Sequence, residues 1–119
     1  MIIDKNIEVD LNRVQPMKTI HVHEGDVNSV RLVLSVTKDT QDVDLTNIAV
    51  RYDAAIGNYL AEQDAVGSVE NGKVIVPLTQ TMTAMGGILQ VDVKLIENNS
   101  ILFTQTIKLF VDRLESVIS

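Results

Sequence analysis

Two stretches near the end of the chain, Ile88 to Glu97 and Ile101 to Asp112, most narrow what it can fold into. In the first, Leu89, Val91, Val93 and Leu95 alternate with Gln90, Asp92 and Lys94; in the second, Phe103, Ile107, Leu109 and Val111 stand opposite Thr104, Thr106 and Lys108. A period of two puts the apolar set on one face of an extended chain and the polar set on the other, which a helical period cannot do. Joined by Asn98-Asn99-Ser100, the two stretches read as a long central hairpin.

The same period recurs upstream. Ile7, Val9 and Leu11 alternate with Glu8, Asp10 and Asn12 over residues 5–13, until Pro16, which has no N–H to give a ladder, forces a break or an edge. Lys18 to His23 sets Ile20 and Val22 against Thr19, His21 and His23, and Ser29 to Thr37 sets Val30, Leu32, Leu34 and Val36 against Arg31, Val33, Ser35 and Thr37. With the polar loop Glu24-Gly25-Asp26-Val27-Asn28 between them, Thr19 to Val36 is expected to form a hairpin with that loop at its tip.

Further on, Lys38 to Asp42 is a turn by composition, Ile48 to Ala54 a strand, and Gly57-Asn58 a second turn, with Tyr59 and Leu60 at the start of a short strand. Asn71-Gly72 is the strongest hairpin signal, because a type I′ turn needs positive φ at both central residues. Thr79 to Met85 fits neither period and is expected to be a crossover with one helical turn, ended by Gly86-Gly87. About eight short strands, with turn signals roughly every 8 to 12 residues, predict an all-β antiparallel sandwich or barrel. Residues 1–112 fit one domain, and the tail 113–119, with Leu114, Val117 and Ile118 at helical spacing, reads as a frayed end or the start of a helical stalk.

Aromatic residues make up only 3% of the chain, so Val, Ile, Leu, Ala and Met must fill the core. A net charge of −6 opposes nucleic acid, whose affinity comes from cations neutralising phosphates, and opposes anionic membrane surfaces too. The longest apolar runs are far short of the ~20 residues a membrane-spanning helix needs, and the start Met1-Ile2-Ile3-Asp4 has an acid where a signal peptide has bases. With no Cys, disulfides, thiolate metal sites and cysteine nucleophiles are excluded.

Candidate sites are few. His21 and His23, two apart on a strand with Glu24 and Asp26 nearby, could begin a metal shell, but no third His and no Cys completes it. Asp39, Asp42 and Asp44 crowd a turn without the glycine and closing glutamate of a calcium loop. No nucleophile elbow, zinc-protease helix motif or phosphate loop occurs, so no catalytic, cofactor or metal residue is assigned. What stands out is apolar surplus: Val33, Ile75, Ile96, Leu102 and Phe110 fall out of phase with their strands. Either an assembly interface buries them, or both sheet faces are covered in places and bulges reset the phase.

Lys18 to Val30, Val43-Asp44-Leu45-Thr46 with the strand Ile48 to Tyr52, Asn71-Gly72-Lys73-Val74, Gly86-Gly87 and Phe103-Thr104-Gln105-Thr106 together resemble the N-terminal domain of phage baseplate upper proteins of phages infecting Gram-positive bacteria. The resemblance covers about residues 17–112. It implies an immunoglobulin-like β-sandwich in the virion tail, assembled in the bacterial cytoplasm. There it attaches a receptor-binding module through contacts with other tail and baseplate proteins, as a homo-oligomer, with no enzyme activity and no cofactor. On this reading His21, His23, Glu24, Asp26, Val33, Ile75, Ile96, Leu102 and Phe110 are the candidate protein interface. A carbohydrate- or host-surface-binding module, using Tyr52 or Tyr59, is the second reading.

Overall fold

The computed structural model describes residues 3–12, 18–23 as backbone, 30–79, 81–83 and 86–112. The expected break at Pro16, the loop 24–28 and the tail 113–119 lie outside the described residues. The strands are β1 (Ile3–Asp10), β2 (Lys18–His23), β3 (Val30–Lys38), β4 (Gln41–Asp42), β5 (Ala49–Ile56), β6 (Tyr59–Val66), β7 (Ser68–Glu70), β8 (Lys73–Pro77), β9 (Gly87–Glu97) and β10 (Ser100–Asp112). They form two five-stranded sheets, the first in the order β1-β3-β8-β7 with β4 also on β3, the second in the order β2-β10-β9-β5-β6.

Alternation decides what lies between the sheets. Leu32, Leu34, Val74 and Val76 from the first sheet join Leu89, Val91, Ile107 and Leu109 from the second in one buried cluster. Each such aliphatic side chain contributes roughly 1.5–3 kcal/mol on leaving water. The cluster is closed by the expected turn after β8, where Met82 N–H (3.1 Å) and Thr83 N–H (3.3 Å) both donate to the Thr79 carbonyl. That single helical turn drives Met82 into the core, fully buried.

Tight turns fix the register. Asn71 (φ 51°) and Gly72 (φ 73°) carry the predicted hairpin between β7 and β8, and Asn98 (φ 50°) and Asn99 (φ 65°) make the same two-residue turn between β9 and β10. Asn is among the few side-chain-bearing residues that enter this region at low cost. Asp39 (φ 52°) and Thr40 (φ 67°) repeat it between β3 and β4.

Three expectations are corrected. Thr19 to Val36 is not a hairpin: β2 joins the second sheet beside β10 and β3 the first beside β1 and β8, so the two strands belong to different sheets. Two pairings, β1 with β3 and β2 with β10, are parallel in an otherwise antiparallel architecture, and the described residues form ten strands, three of them five residues or shorter, where about eight were expected. The short strand expected to start at Tyr59 and Leu60 is the eight-residue β6, an edge strand whose pairing with β5 is interrupted by register shifts and whose Asp64 has φ 49°. Partly exposed on both faces, it has no reason to alternate, and its irregularity blunts the edge against stray pairing.

The chain passes from the second sheet to the first through one residue, Gly67, whose N–H donates to the Val50 carbonyl at 3.0 Å. A Cβ there would lie 2.6 Å from Val50 Cγ1 and 2.8 Å from the Ile75 carbonyl oxygen. Gly67→Ala is therefore expected to destabilise the fold by about 1–3 kcal/mol, as overpacking does. Leu109→Ala, which leaves a cavity, is expected to cost about 2–5 kcal/mol. Urea denaturation of both variants checks this, and an unchanged midpoint for Gly67→Ala would mean that the crossing relaxes without cost.

Candidate protein-interaction surface

The outward faces of the two sheets differ in chemistry. On the first, Arg31 of β3 reaches to its neighbour β1, its Nε 2.9 Å and Nη2 3.2 Å from the two Asp4 carboxylate oxygens, and across β8 to β7, its Nη1 3.4 Å from Glu70. The forked guanidinium is suited to this two-point grip. The side-chain hydrogen bond from Arg31, with its charge, holds the Asp4 carboxyl below the usual aspartate range. Because the groups are exposed, the network orders three strands more than it stabilises them.

On the second sheet two carboxylates, Asp53 and Asp92, sit directly opposite each other on β5 and β9. Like charges so placed are destabilising unless each finds a donor. Asp53 accepts from the Asp64 N–H (2.6 Å) and pairs with Lys94 Nζ (3.0 Å), while Thr106 Oγ1 donates to Asp92 at 2.7 Å. The Asp64 N–H, followed by Lys94, lowers the Asp53 pKa.

Two further aspartates act as turn caps. Asp10, only 7% exposed at the end of β1, accepts from the N–H groups of Asn12 (2.9 Å), Thr40 (3.1 Å) and Asp39 (3.3 Å) and from the Thr37 hydroxyl (3.3 Å). These donors, the Asn12 N–H foremost, hold its carboxyl below the ordinary range. It thus ties the N-terminal strand to the β3–β4 turn. Asp44 accepts from the hydroxyl and the N–H of Thr46, closing the turn that leads into β5, and its carboxyl is lowered likewise. Two of the three aspartates weighed as a calcium site have local partners: Asp44 caps its turn, and Asp39 accepts from Asn12 Nδ2 at 2.9 Å. Among the described residues no group of three or more His, Asp or Glu converges as a metal set.

The sequence-predicted interface residues are dispersed. His21 and His23 lie on β2, in register with Phe110 and Asp112 of β10, and Glu24 and Asp26 fall outside the described residues. Val33 and Ile75 are cross-strand partners on β3 and β8, and each is only 5% exposed, so the chain itself already shields them from water. Phe110 and Ile96 are half-buried near opposite ends of the second sheet, and Leu102 is 50% exposed beside the β9–β10 turn. Tyr52, named as a platform for a carbohydrate, is 2% exposed: its alternation with Val50 and Ala54 turns it into the core, where burial and the Glu62 charge push its hydroxyl pKa up. Tyr59 does reach solvent.

Sequence reasoning missed Ile101, 62% exposed, and Val66, 66% exposed. Ile101 had been read in the strand but not as surface. Beside Val66 runs a groove of about 510 Å3, lined among others by Asp44, Thr46, Ala49, Val66 and Ser68, where the turn before β5 meets the sheet crossing at Gly67.

Comparison with known proteins adds a family and a fold. The chain matches the family model described as the BppU N-terminal domain over residues 3–116. Among solved structures it is similar to the N-terminal domain of phage TP901-1 ORF48, with 14% identity and a TM-score of 0.64, covering 92% of this chain and 98% of that one. At that identity the likeness speaks for the fold alone. No curated protein matches the chain.

The four lowered aspartates have one consequence for stability. In the unfolded chain their carboxyls titrate near pH 3.9; folded, Asp4, Asp10, Asp44 and Asp53 titrate lower. The unfolded state therefore binds more protons in that window, and the stabilisation, complete above the ordinary aspartate value, is lost as pH falls through the folded values. Thermal unfolding is expected to be nearly flat between about pH 5 and 7 and to drop below about pH 4. Asp10→Asn should lower the midpoint at pH 7 and flatten the acid-side drop; an acid profile identical to the parent's would mean that Asp10 contributes nothing to it.

Proposed function

Because the chain belongs to the family of BppU N-terminal domains, we propose that it is a non-enzymatic structural adaptor of a phage or prophage tail, a virion component that attaches a receptor-binding module to the baseplate by protein contacts alone. The observation that carries this is the span of the family match, residues 3–116, which runs through every strand of both sheets. Its partners on this reading are other tail and baseplate proteins and further copies of itself in the virion.

The physical character of the molecule suits the role. An adaptor under load needs a stiff body and adhesive ends, and the fully buried aliphatic layer, short turns and aspartate caps supply the first. The exposed aliphatic side chains Val66, Ile101 and Leu102 supply the second.

Particles released from bacteria carrying this gene and purified through a density gradient decide the matter by quantitative mass spectrometry. The chain is expected in tail-bearing particles at a fixed ratio to the other tail proteins. Its presence in the lysate but absence from the particles would overturn the adaptor reading.

A further inference from the structure

Three apolar residues line up on the outward face of the second sheet, at the end that carries the Asn98-Asn99 turn. Register sets Ala49 of β5 beside Ile96 of β9, and Ile96 beside Ile101 of β10. Their neighbours Val50 and Leu95 are core residues, so alternation turns the row to the water. A fourth, Leu102, joins them through a defect in the ladder: the register shifts between Ile101 and Phe103, inserting an extra residue opposite β9. Without that bulge Leu102 would take the inward position that Phe103 holds, packed against the core. With it, Leu102 is 50% exposed next to Ile101 at 62%. Bulges re-aim side chains, and this one resets the phase of β10 so that Ile107 and Leu109 meet Val91 and Leu89 in the core, leaving Leu102 exposed beside Ile101.

Charge at this end is predominantly acidic: Asp39, Asp42, Asp44 and Glu97 stand against Lys38 and Lys73, none of the six in a described ion pair. Lys94 is taken by Asp53 at 3.0 Å, and Arg51 in the groove lies 3.9 Å from Asp64 and donates to the Asp64 carbonyl at 3.2 Å. Asp44 in the groove and Glu97 beside Ile96 have no described cation within pairing distance. Lys38 and Lys73, on the neighbouring turns of the first sheet, stand among Asp39, Asp42 and Glu70. β10 starts here and finishes, at Asp112, at the opposite end of the sheet. A module joined after β10 therefore leaves this end free.

We propose that this end of the sandwich, with Ile96, Ile101 and Leu102 at its centre and Asp44 and Glu97 at its margin, docks another tail protein that presents an apolar hollow rimmed by Lys or Arg. This rests on the adaptor reading above and adds to it the surface and the partner's chemistry. Aliphatic side chains in a hollow supply the affinity, and complementary charge supplies the rate and the orientation. A second copy of the chain is the poorer occupant, because each copy carries −6 and a self-contact would bring the same carboxylates together.

The test uses the full chain and each tail protein encoded beside it, produced separately and titrated in pairs by calorimetry or biolayer interferometry. Leu102→Asp, Ile101→Asp and the double change Asp44→Lys with Glu97→Lys are compared with Ile88→Asp, an exposed residue at the other end of the same sheet. Circular dichroism establishes that each variant folds. The expected result is one partner bound by the parent, at least about tenfold weaker binding by the first three variants, unchanged binding by Ile88→Asp, and weakening with added salt. Parent-like binding by Leu102→Asp and Ile101→Asp, with loss in Ile88→Asp, would overturn this surface and leave the adaptor reading standing. No binding of the parent to any tail protein would overturn both. A parent dimer in light scattering that Leu102→Asp abolishes would replace the basic partner with a second copy.

Discussion

Everything in this molecule depends on two sheets presenting matched aliphatic faces to each other. With aromatics at 3% of the chain, Tyr52 is the one ring in the described buried cluster, and the layer is built mainly from Val, Leu and Ile in alternate positions of β1, β3, β5, β8, β9 and β10. Such a core tolerates no slip, because a shift of one residue would turn Leu89, Val91, Val93 and Leu95 to the water and Gln90, Asp92 and Lys94 inward. The two-residue turns at Asn71-Gly72 and Asn98-Asn99 matter for this reason: they pin the register on which burial depends.

The same constraint explains the places where the chain changes sheet. Gly67 lets the backbone pass against Val50 and Ile75, and the turn at Thr79 plugs Met82 beneath the layer. Neither is a strand residue in the usual sense, yet both are needed to close the core around a chain that crosses between sheets more than once. Apart from the buried Thr83 and Gln105, the polar chemistry described lies on the outside and at the ends, where aspartates accept backbone N–H groups and the opposed pair Asp53 and Asp92 is relieved by Lys94 and Thr106.

A surplus of acid in such a scaffold is a property of its surface and bears on partners more than on folding. The Arg31 network engages Asp4 and Glu70 on one outer face, and on the second sheet Arg51 and Lys94 pair with Asp64 and Asp53. The end with the tight turns combines an excess of carboxylate with exposed aliphatic surface. The proposed adaptor role would draw on those two features.

Much of this was legible in the sequence. Period-two alternation located β3, β5, β9 and β10 and named most of their buried residues, Asn-Gly named a turn, and the failure of both periods at Thr79 to Met85 marked the helical turn. These are local signals, set by side-chain geometry and backbone sterics within a few residues. Pairing is not local. That β2 lies beside β10 and not β3, that β1 and β2 pair in parallel, and that Val33 and Ile75 shield each other were decided only when distant segments met. Edge strand β6 gave no period because neither of its faces is wholly enclosed, and the bulge that exposes Leu102 exists only relative to its partner strand. The sequence by itself determined most of the residues inside a sandwich; the tertiary structure decided that Val33 and Ile75 are buried too, which strands share a sheet and which leucine is exposed, because those depend on pairing between distant segments that no short window of residues contains.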